Sequence, residues 1–158
     1  MKALYLDHIG VAVRDPERAK RFFEEVLGAR RSMDETWEYR GQVHNWTQLG
    51  WGEGRFELMS SPDAGSFVNR FIEERGEGLH HLTLRVSSLA DALAHLRERG
   101  FTPIEIETKD PTWKLAFVGP HDAFGTLLLL AQYEEDYRMY PSREGPVFID
   151  NDPLDIFE

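Results

Sequence analysis

The sequence predicts an α+β fold in which one strand–helix–strand module occurs twice. A histidine opens an alternating apolar run at residues 6–13, and a similar run with a histidine recurs at residues 76–86. Each run is followed by an amphipathic helical pattern that ends at a glycine, Gly28 or Gly100. Alternation with a period of two is typical of a half-buried strand, and an internal repeat indicates two like modules that pack together.

In the first module, a helix is expected after the opening strand. Asp15 can cap it, Pro16 suits its first position, and the apolar stripe continues to about Leu27. Three short strands should follow, joined by turns that include a glycine-rich connection at residues 50–54. These strands are expected at Arg30–Thr36, Gln42–Leu49 and Arg55–Met59.

The second half of the chain repeats this order after a linking helix. The linking helix should begin at Ser61 and stop at Gly76, and the second amphipathic helix should begin at Ser88 with a capping-box-like pattern. The last three strands are expected at Thr102–Thr108, Leu115–Val118 and Thr126–Ala131.

A single domain is expected over residues 1–132. It comprises module one at 1–60, the linking helix at 61–77 and module two at 78–132. Residues 133–158 change to an acidic, proline-containing and aromatic composition. We expect them to form a C-terminal arm that packs on the surface or on a second subunit, which favours a homodimer.

Composition excludes several classes of function. The 158 residues carry 28 acidic and 18 basic side chains, for a formal charge of −10, so nucleic acid and anionic membranes are not expected partners. Without cysteine, a metal site must use histidine, carboxylate, amide or water ligands. The sequence shows neither a signal peptide nor an apolar run of about 20 residues, so a cytoplasmic protein with a small-molecule substrate is expected.

The two histidines occupy equivalent positions in the repeat. Strand alternation places His8 on the face opposite Ile9 and Val11, and it places His81 with Thr83 and Arg85 on the face opposite the leucines. Because the aliphatic faces must pack on the helices, the histidine faces should line a different surface, such as a cavity wall.

Four segments carry a family resemblance. They read LDHIGVAV from residue 6, FELM from residue 56, RGEGLHHL from residue 75 and PHDAFGTL from residue 120. With these motifs and the repeated βαβββ order, residues 4–132 resemble the vicinal oxygen chelate superfamily of glyoxalases, bleomycin-resistance proteins and dioxygenases, and most of all its methylmalonyl-CoA epimerase branch. The resemblance implies a curved eight-stranded mixed sheet around a cavity.

The same resemblance implies a metal site. Carried over position by position, the ligands would be His8, Glu57 and His81, and the ion would be divalent Fe, Mn, Co, Ni or Zn. The fourth ligand of the family is usually a glutamate four residues after the glycine of the last loop. Here that position is Leu129, which cannot bind a metal or transfer a proton. The alternative is that both histidines are merely hydrogen-bonded and that Glu57 pairs with Arg85.

The expected chemistry is metal-assisted formation of an enolate from a small oxo or carboxylic acid or its thioester, by an isomerase or lyase type of enzyme. Such a reaction needs a base, and His44 is the candidate because it shares a strand face with Trp46 and Gln48. That face could instead meet solvent or a partner. The residues expected to contact the substrate are Trp46, Gln48, Thr83, Arg85 and Leu129.

Two other functions are compatible with the sequence. Two histidines with one carboxylate are the ligand set of non-haem Fe(II) dioxygenases. Alternatively, Leu129 could mark a protein that binds a small ligand without catalysis, and the four tryptophans could then serve as walls for a flat ligand: Trp37, Trp46, Trp51 and Trp113.

Overall fold

The computed structural model describes residues 3–39, 41–51, 54–106 and 112–133. Within them the chain forms eight strands and three α-helices. In chain order the elements are β1 Ala3–Ala12, α1 Pro16–Arg21, β2 Arg30–Tyr39, β3 Gln42–Trp51, β4 Gly54–Ser60, α2 Phe67–Arg75, β5 Gly78–Val86, α3 Leu89–Arg97, β6 Ile104–Ile106, β7 Lys114–Val118 and β8 Leu127–Gln132.

The eight strands form one mixed sheet in the order β2-β3-β4-β1-β5-β8-β7-β6. Strand β1 runs parallel to β4, and β5 runs parallel to β8, while the other described pairings are antiparallel. The order within the first four strands is repeated in the last four, so the predicted α+β fold with an eight-stranded mixed sheet is confirmed.

The chain divides into two compact units. One is His8–His80, and the other contains the described residues up to Asp7 and from His81 onward. Both divisions fall inside strands that carry a predicted metal ligand, β1 and β5.

In the unit His8–His80, the core lies between the sheet and the first helix. Asp15 caps α1 by accepting a hydrogen bond from the Arg18 amide at 2.9 Å, and the helix continues as a π-helical turn at Phe22–Val26. The buried cluster on this side is Val13, Ala29, Leu49 and Leu58, packed against Val11, Ala19, Phe23 and Trp51. The aliphatic face predicted for β1 therefore does pack on the helix.

The linking helix begins later than expected, at Phe67 rather than at Ser61. Ser66 caps it by accepting from the Asn69 amide at 3.1 Å. The Asp63 carboxylate is used elsewhere, because it accepts from the Val43 amide at 2.6 Å. This bond ties the segment that precedes α2 to the start of β3.

In the other unit, each face of the sheet carries an apolar cluster. On the helix face, Ser88 caps α3, which packs its stripe on the sheet. The cluster there is Val86, Leu89, Ala92, Leu93, Ala116, Val118 and Leu130. The opposite cluster is Ile106, Leu115, Phe117, Leu127, Leu129, Ala131 and Tyr133.

Of the helices in the described residues, none combines the length and the apolar character needed to cross a bilayer. The C-terminal arm expected at residues 133–158 lies, from residue 134 on, outside the described residues.

Candidate metal centre

His8 and Glu57 lie side by side on β1 and β4. The parallel register pairs Gly10 with Glu57, and strand alternation puts His8 on the same face as both. The His8 Nε2 atom lies 3.4 Å from Glu57 Oε2. A tetrahedral ion with bonds of about 2.1 Å holds its ligand atoms about 3.4 Å apart, so one ion can accept both atoms.

His8 is neutral at physiological pH. Burial, and to a smaller extent the positive charge of Arg55, lowers the pKa of His8 to about 3. Its contact with Glu57 is therefore not an ion pair at pH 7. A neutral imidazole is the form that binds metals, because its ring nitrogen keeps a free lone pair.

His81 completes the ligand set predicted from the sequence. Its side chain is buried on β5, as is that of Glu57 on β4. The ligand atoms of His8, Glu57 and His81 all lie within 4.8 Å of one another. Two imidazoles and one carboxylate are a ligand set that divalent transition-metal ions accept, and this cluster could hold such an ion.

His44, the predicted base, lies in an aromatic stack on β3. Its ring stacks on Trp37 with centroids 4.8 Å apart and on Phe67 with centroids 4.7 Å apart. The side chain is 1% exposed, and neither ring nitrogen has a hydrogen-bond partner among the described residues. A buried imidazole of this kind is either a strained core residue or a functional group.

Burial lowers the pKa of His44 to about 4, although the negative charge of Asp63 acts in the opposite direction. Between pH 6.5 and about 4 the unfolded chain binds a proton at this position while the folded protein does not. The stability that depends on neutral His44 is thus fully present above pH 6.5 and is lost as the pH falls towards 4.

We therefore expect the free energy of unfolding of His44→Phe, which preserves the aromatic stack, to depend less on pH below pH 6.5 than that of the wild type. In metal-free protein, urea unfolding at pH 7.5 and pH 4.5 should show that the wild type loses on the order of 2 kcal/mol more than the variant between these two values. If both proteins lose the same free energy of unfolding between these pH values, His44 is not buried in its neutral form.

Two predicted substrate contacts share this face of the sheet. Gln48 is the direct cross-strand partner of Glu57, and Trp46 is the partner of Met59. The Trp46 ring lies 5.3 Å from that of Trp37, and its Nε1 is buried with no hydrogen-bond partner in the described parts of the chain. Trp46 and Gln48 thus lie between the aromatic stack and the ligand Glu57.

Two more predicted contacts lie beyond His81 on β5. Thr83 is almost completely buried. The Arg85 guanidinium lies 3.8 Å above the Tyr133 ring and donates to the Tyr133 carbonyl, while the Tyr133 hydroxyl donates to Asp7. Arg85 therefore has a structural role in holding the end of β8, whatever it contributes to a ligand.

Leu129 lies on the same sheet face as His81. In the parallel pair, His81 is opposite Leu127 and Thr83 is opposite Leu129. Leu129 is buried and packs in the apolar cluster of Phe117 and Leu127. At this position the chain contributes apolar packing where the family resemblance implied a carboxylate.

The four tryptophans have different neighbours. Trp37 and Trp46 lie by His44, whereas Trp113 stacks on Tyr133 with centroids 5.3 Å apart. Trp51 packs against Phe23 in the helix-side cluster, and its Nε1 donates to the Leu27 carbonyl at 2.7 Å. Trp51 thus packs, partly buried, against the helix-side cluster, and its role as a ligand wall stays a prediction.

Two residues beside His44 are absent from the site predicted from the sequence. Phe67, on α2, covers one face of the His44 ring. Glu35 is the cross-strand partner of Trp46, on the face that also carries His44. Alternation along β2 could have identified Glu35, since it is an acid on the same strand face as Trp37.

The chain is similar to several known proteins. The family model described as glyoxalase/bleomycin resistance protein/dioxygenase superfamily matches residues 7–117. The uncharacterized protein YqjC of Bacillus subtilis (strain 168) is 32% identical over 133 residues, which cover 83% of this chain and 94% of that protein.

Two further relatives have a described activity. Mitochondrial methylmalonyl-CoA epimerase of Mus musculus is 28% identical over 130 residues, covering 80% of this chain and 72% of that protein. The crystal structure of methylmalonyl-CoA epimerase from Mycobacterium tuberculosis superposes with a TM-score of 0.72 at 25% identity, over 87% of this chain and 93% of that chain.

Proposed function

Because the chain belongs to the glyoxalase/bleomycin resistance protein/dioxygenase superfamily, we propose that it is a metal-dependent enzyme of the isomerase or lyase type. It removes a proton from the carbon next to a carbonyl group and stabilises the resulting enolate. The substrate is a small oxo or carboxylic acid, or its coenzyme A thioester, as the similarity to methylmalonyl-CoA epimerases suggests.

The observation that carries this proposal is the convergence of three ligand atoms within 4.8 Å. His8, Glu57 and His81 would hold a divalent cation, whose identity among Fe, Mn, Co, Ni and Zn is open. When bound there, such a cation acts as a Lewis acid that lowers the cost of negative charge on a neighbouring carbonyl or carboxylate oxygen.

His44 is the proposed proton acceptor. Its lowered pKa keeps the ring neutral at pH 7, so a lone pair is available on one nitrogen. Stacking on Trp37 and Phe67 fixes the ring plane, and the surrounding aromatic groups exclude water from the edge that receives the proton.

The remaining proposed contacts supply orientation. Gln48, beside Glu57, offers an amide to a substrate oxygen, and Trp46 offers an indole N–H and an apolar ring. Thr83 and Arg85 follow His81 on the same strand face, and Leu129 provides an apolar wall beside Thr83. With leucine at 129, acid–base chemistry at that position is replaced by packing.

Proton exchange tests the proposal directly. Protein purified without a histidine tag, stripped of metal and reloaded with each candidate ion, is incubated with methylmalonyl-CoA in D2O. We expect deuterium to enter the carbon between the two carbonyl groups with at least one ion and not with the stripped protein, as followed by mass spectrometry. If the rate with every ion stays at that of the stripped protein, the proposed reaction is wrong.

The same samples distinguish the runner-up function, a non-haem Fe(II) dioxygenase. It is favoured by the two-histidine, one-carboxylate ligand set. Among the metal-loaded samples, a dioxygenase would consume oxygen only in the one that contains iron. The proposed reaction does not require oxygen. A non-catalytic binding protein would do neither.

Three expectations from the sequence remain parts of this proposal. They are a single domain over residues 1–132, a homodimer and a cytoplasmic location. The arm expected to build the dimer lies, beyond Tyr133, outside the described residues.

A further inference from the structure

Two consecutive acids of β2 lie on opposite faces of the sheet and have different surroundings. The Asp34 carboxylate accepts hydrogen bonds from Lys20 and Arg31, each at 2.8 Å, and from Thr47 at 2.6 Å. Burial alone would raise the pKa of Asp34, but the bonds from Lys20 and Thr47 outweigh it and lower the pKa. Asp34 is thus a fully compensated structural acid.

Glu35 has none of this compensation. It is half-buried beside its cross-strand partner Trp46, and neither a cation nor a hydrogen-bond donor contacts it within the described residues. Burial, acting alone, raises the pKa of Glu35. Partial removal of a carboxylate from water without a partner is unfavourable, so such a group in a candidate site calls for a functional explanation.

Glu35 lies next to His44. The antiparallel register pairs Trp37 with His44 and Glu35 with Trp46, so Glu35 and His44 are diagonal neighbours on one face. Diagonal neighbours have Cβ atoms roughly 7 Å apart, which the side chain of a glutamate can span. His44 has almost no contact with solvent, whereas Glu35 is partly exposed.

A proton received by His44 therefore needs a route to water. We propose that Glu35 is a proton-relay residue, which takes from His44 the proton that His44 removes from the substrate and passes it to solvent. This inference rests on the proposed function, and it adds a group that the sequence resemblance does not supply.

Each step of the relay balances. The substrate C–H bond breaks, an N–H bond forms on His44, and the electron pair of the carbon moves to the carbonyl oxygen. Next, the imidazolium N–H bond breaks and an O–H bond forms on Glu35, which then releases the proton to water. Burial lowers the pKa of His44 to about 4 and raises the pKa of Glu35, so the two groups approach each other in acidity and exchange a proton at little cost.

The test uses Glu35→Gln, with Glu38→Gln as the matched control. Glu38 is on the same strand, but it is exposed on the opposite face, so both variants remove one negative charge. With metal-loaded protein and methylmalonyl-CoA in D2O, we expect the rate of deuterium incorporation to fall by roughly 100-fold in Glu35→Gln and to remain unchanged in Glu38→Gln. Equal rates in the two variants would overturn the relay.

Chemical rescue separates a relay from a structural role. Glu35→Ala should lose the same activity and recover part of it when formate is added, because formate can carry the proton in place of the missing carboxylate. A loss that formate does not restore would overturn the inference while leaving the proposed function intact. Absence of exchange in metal-loaded wild-type protein would instead reject the proposed function itself.

Discussion

His81→Ala is expected to weaken divalent-metal binding by more than about 100-fold. Loss of even an outer-shell partner of a metal ligand typically costs 10- to 100-fold, and His81 is a direct ligand in the proposed site. The variant leaves only His8 and Glu57 as protein ligands, and it puts a methyl group where the third donor atom was. Competition with a chromogenic chelator measures the change in dissociation constant.

The matched control is His121→Ala. The His121 ring is completely exposed and contacts the neighbouring Asp122, so its loss removes one histidine without touching the buried ligands. Circular dichroism on both variants verifies that the fold is retained. If the His81 variant binds metal as tightly as the His121 variant, the assignment of His81 as a ligand is wrong.

The histidine pair is the part of the site that the sequence predicts best. Placing His8 and His81 at equivalent repeat positions needed only the alternation of apolar residues, because a strand face is fixed by that period. The structure brings both histidines together with Glu57. Glu57 was implied by family resemblance, and its partner Gln48 follows from the register between β3 and β4.

The surroundings of His44 could not be predicted in the same way. Strand parity places His44 with Trp46, but the ring that covers His44 comes from α2, and its position depends on where that helix begins. The segment before α2 includes Asp63, which accepts a hydrogen bond from the Val43 amide, 20 residues earlier in the chain. Long-range hydrogen bonds of this kind leave no periodic signal in a sequence.

The first helix was also predicted only in part. Its predicted start at Asp15 and its continuation towards Leu27 are confirmed, because capping and apolar spacing are local signals. The change to a π-helical turn at Phe22–Val26 was not predicted, since π-turns arise from packing rather than from a short motif. Phe23 in that turn packs on the helix-side cluster of Val13, Ala29, Leu49 and Leu58.

Leu129→Glu is expected to destabilise the metal-free protein by about 3–5 kcal/mol and to be rescued by metal. The substitution buries a carboxylate in the apolar cluster that contains Phe117 and Leu127, and removing a charge from water into apolar surroundings is costly. A divalent ion held by His81, on the same face of the β5–β8 pair, would compensate that charge. Metal should therefore raise the melting temperature of this variant more than that of the wild type.

Leu130→Glu is the control that makes this result specific. Leu130 is also buried but faces α3, in the cluster with Leu93 and Val118. Its replacement should cost a similar free energy in the metal-free protein, and metal should stabilise it no more than the wild type. Differential scanning calorimetry with and without the ion compares the three proteins. If metal stabilises the Leu129 and Leu130 variants to the same degree, position 129 does not face the ion. The lack of a carboxylate at position 129 would then not explain why this centre has three protein ligands and not four.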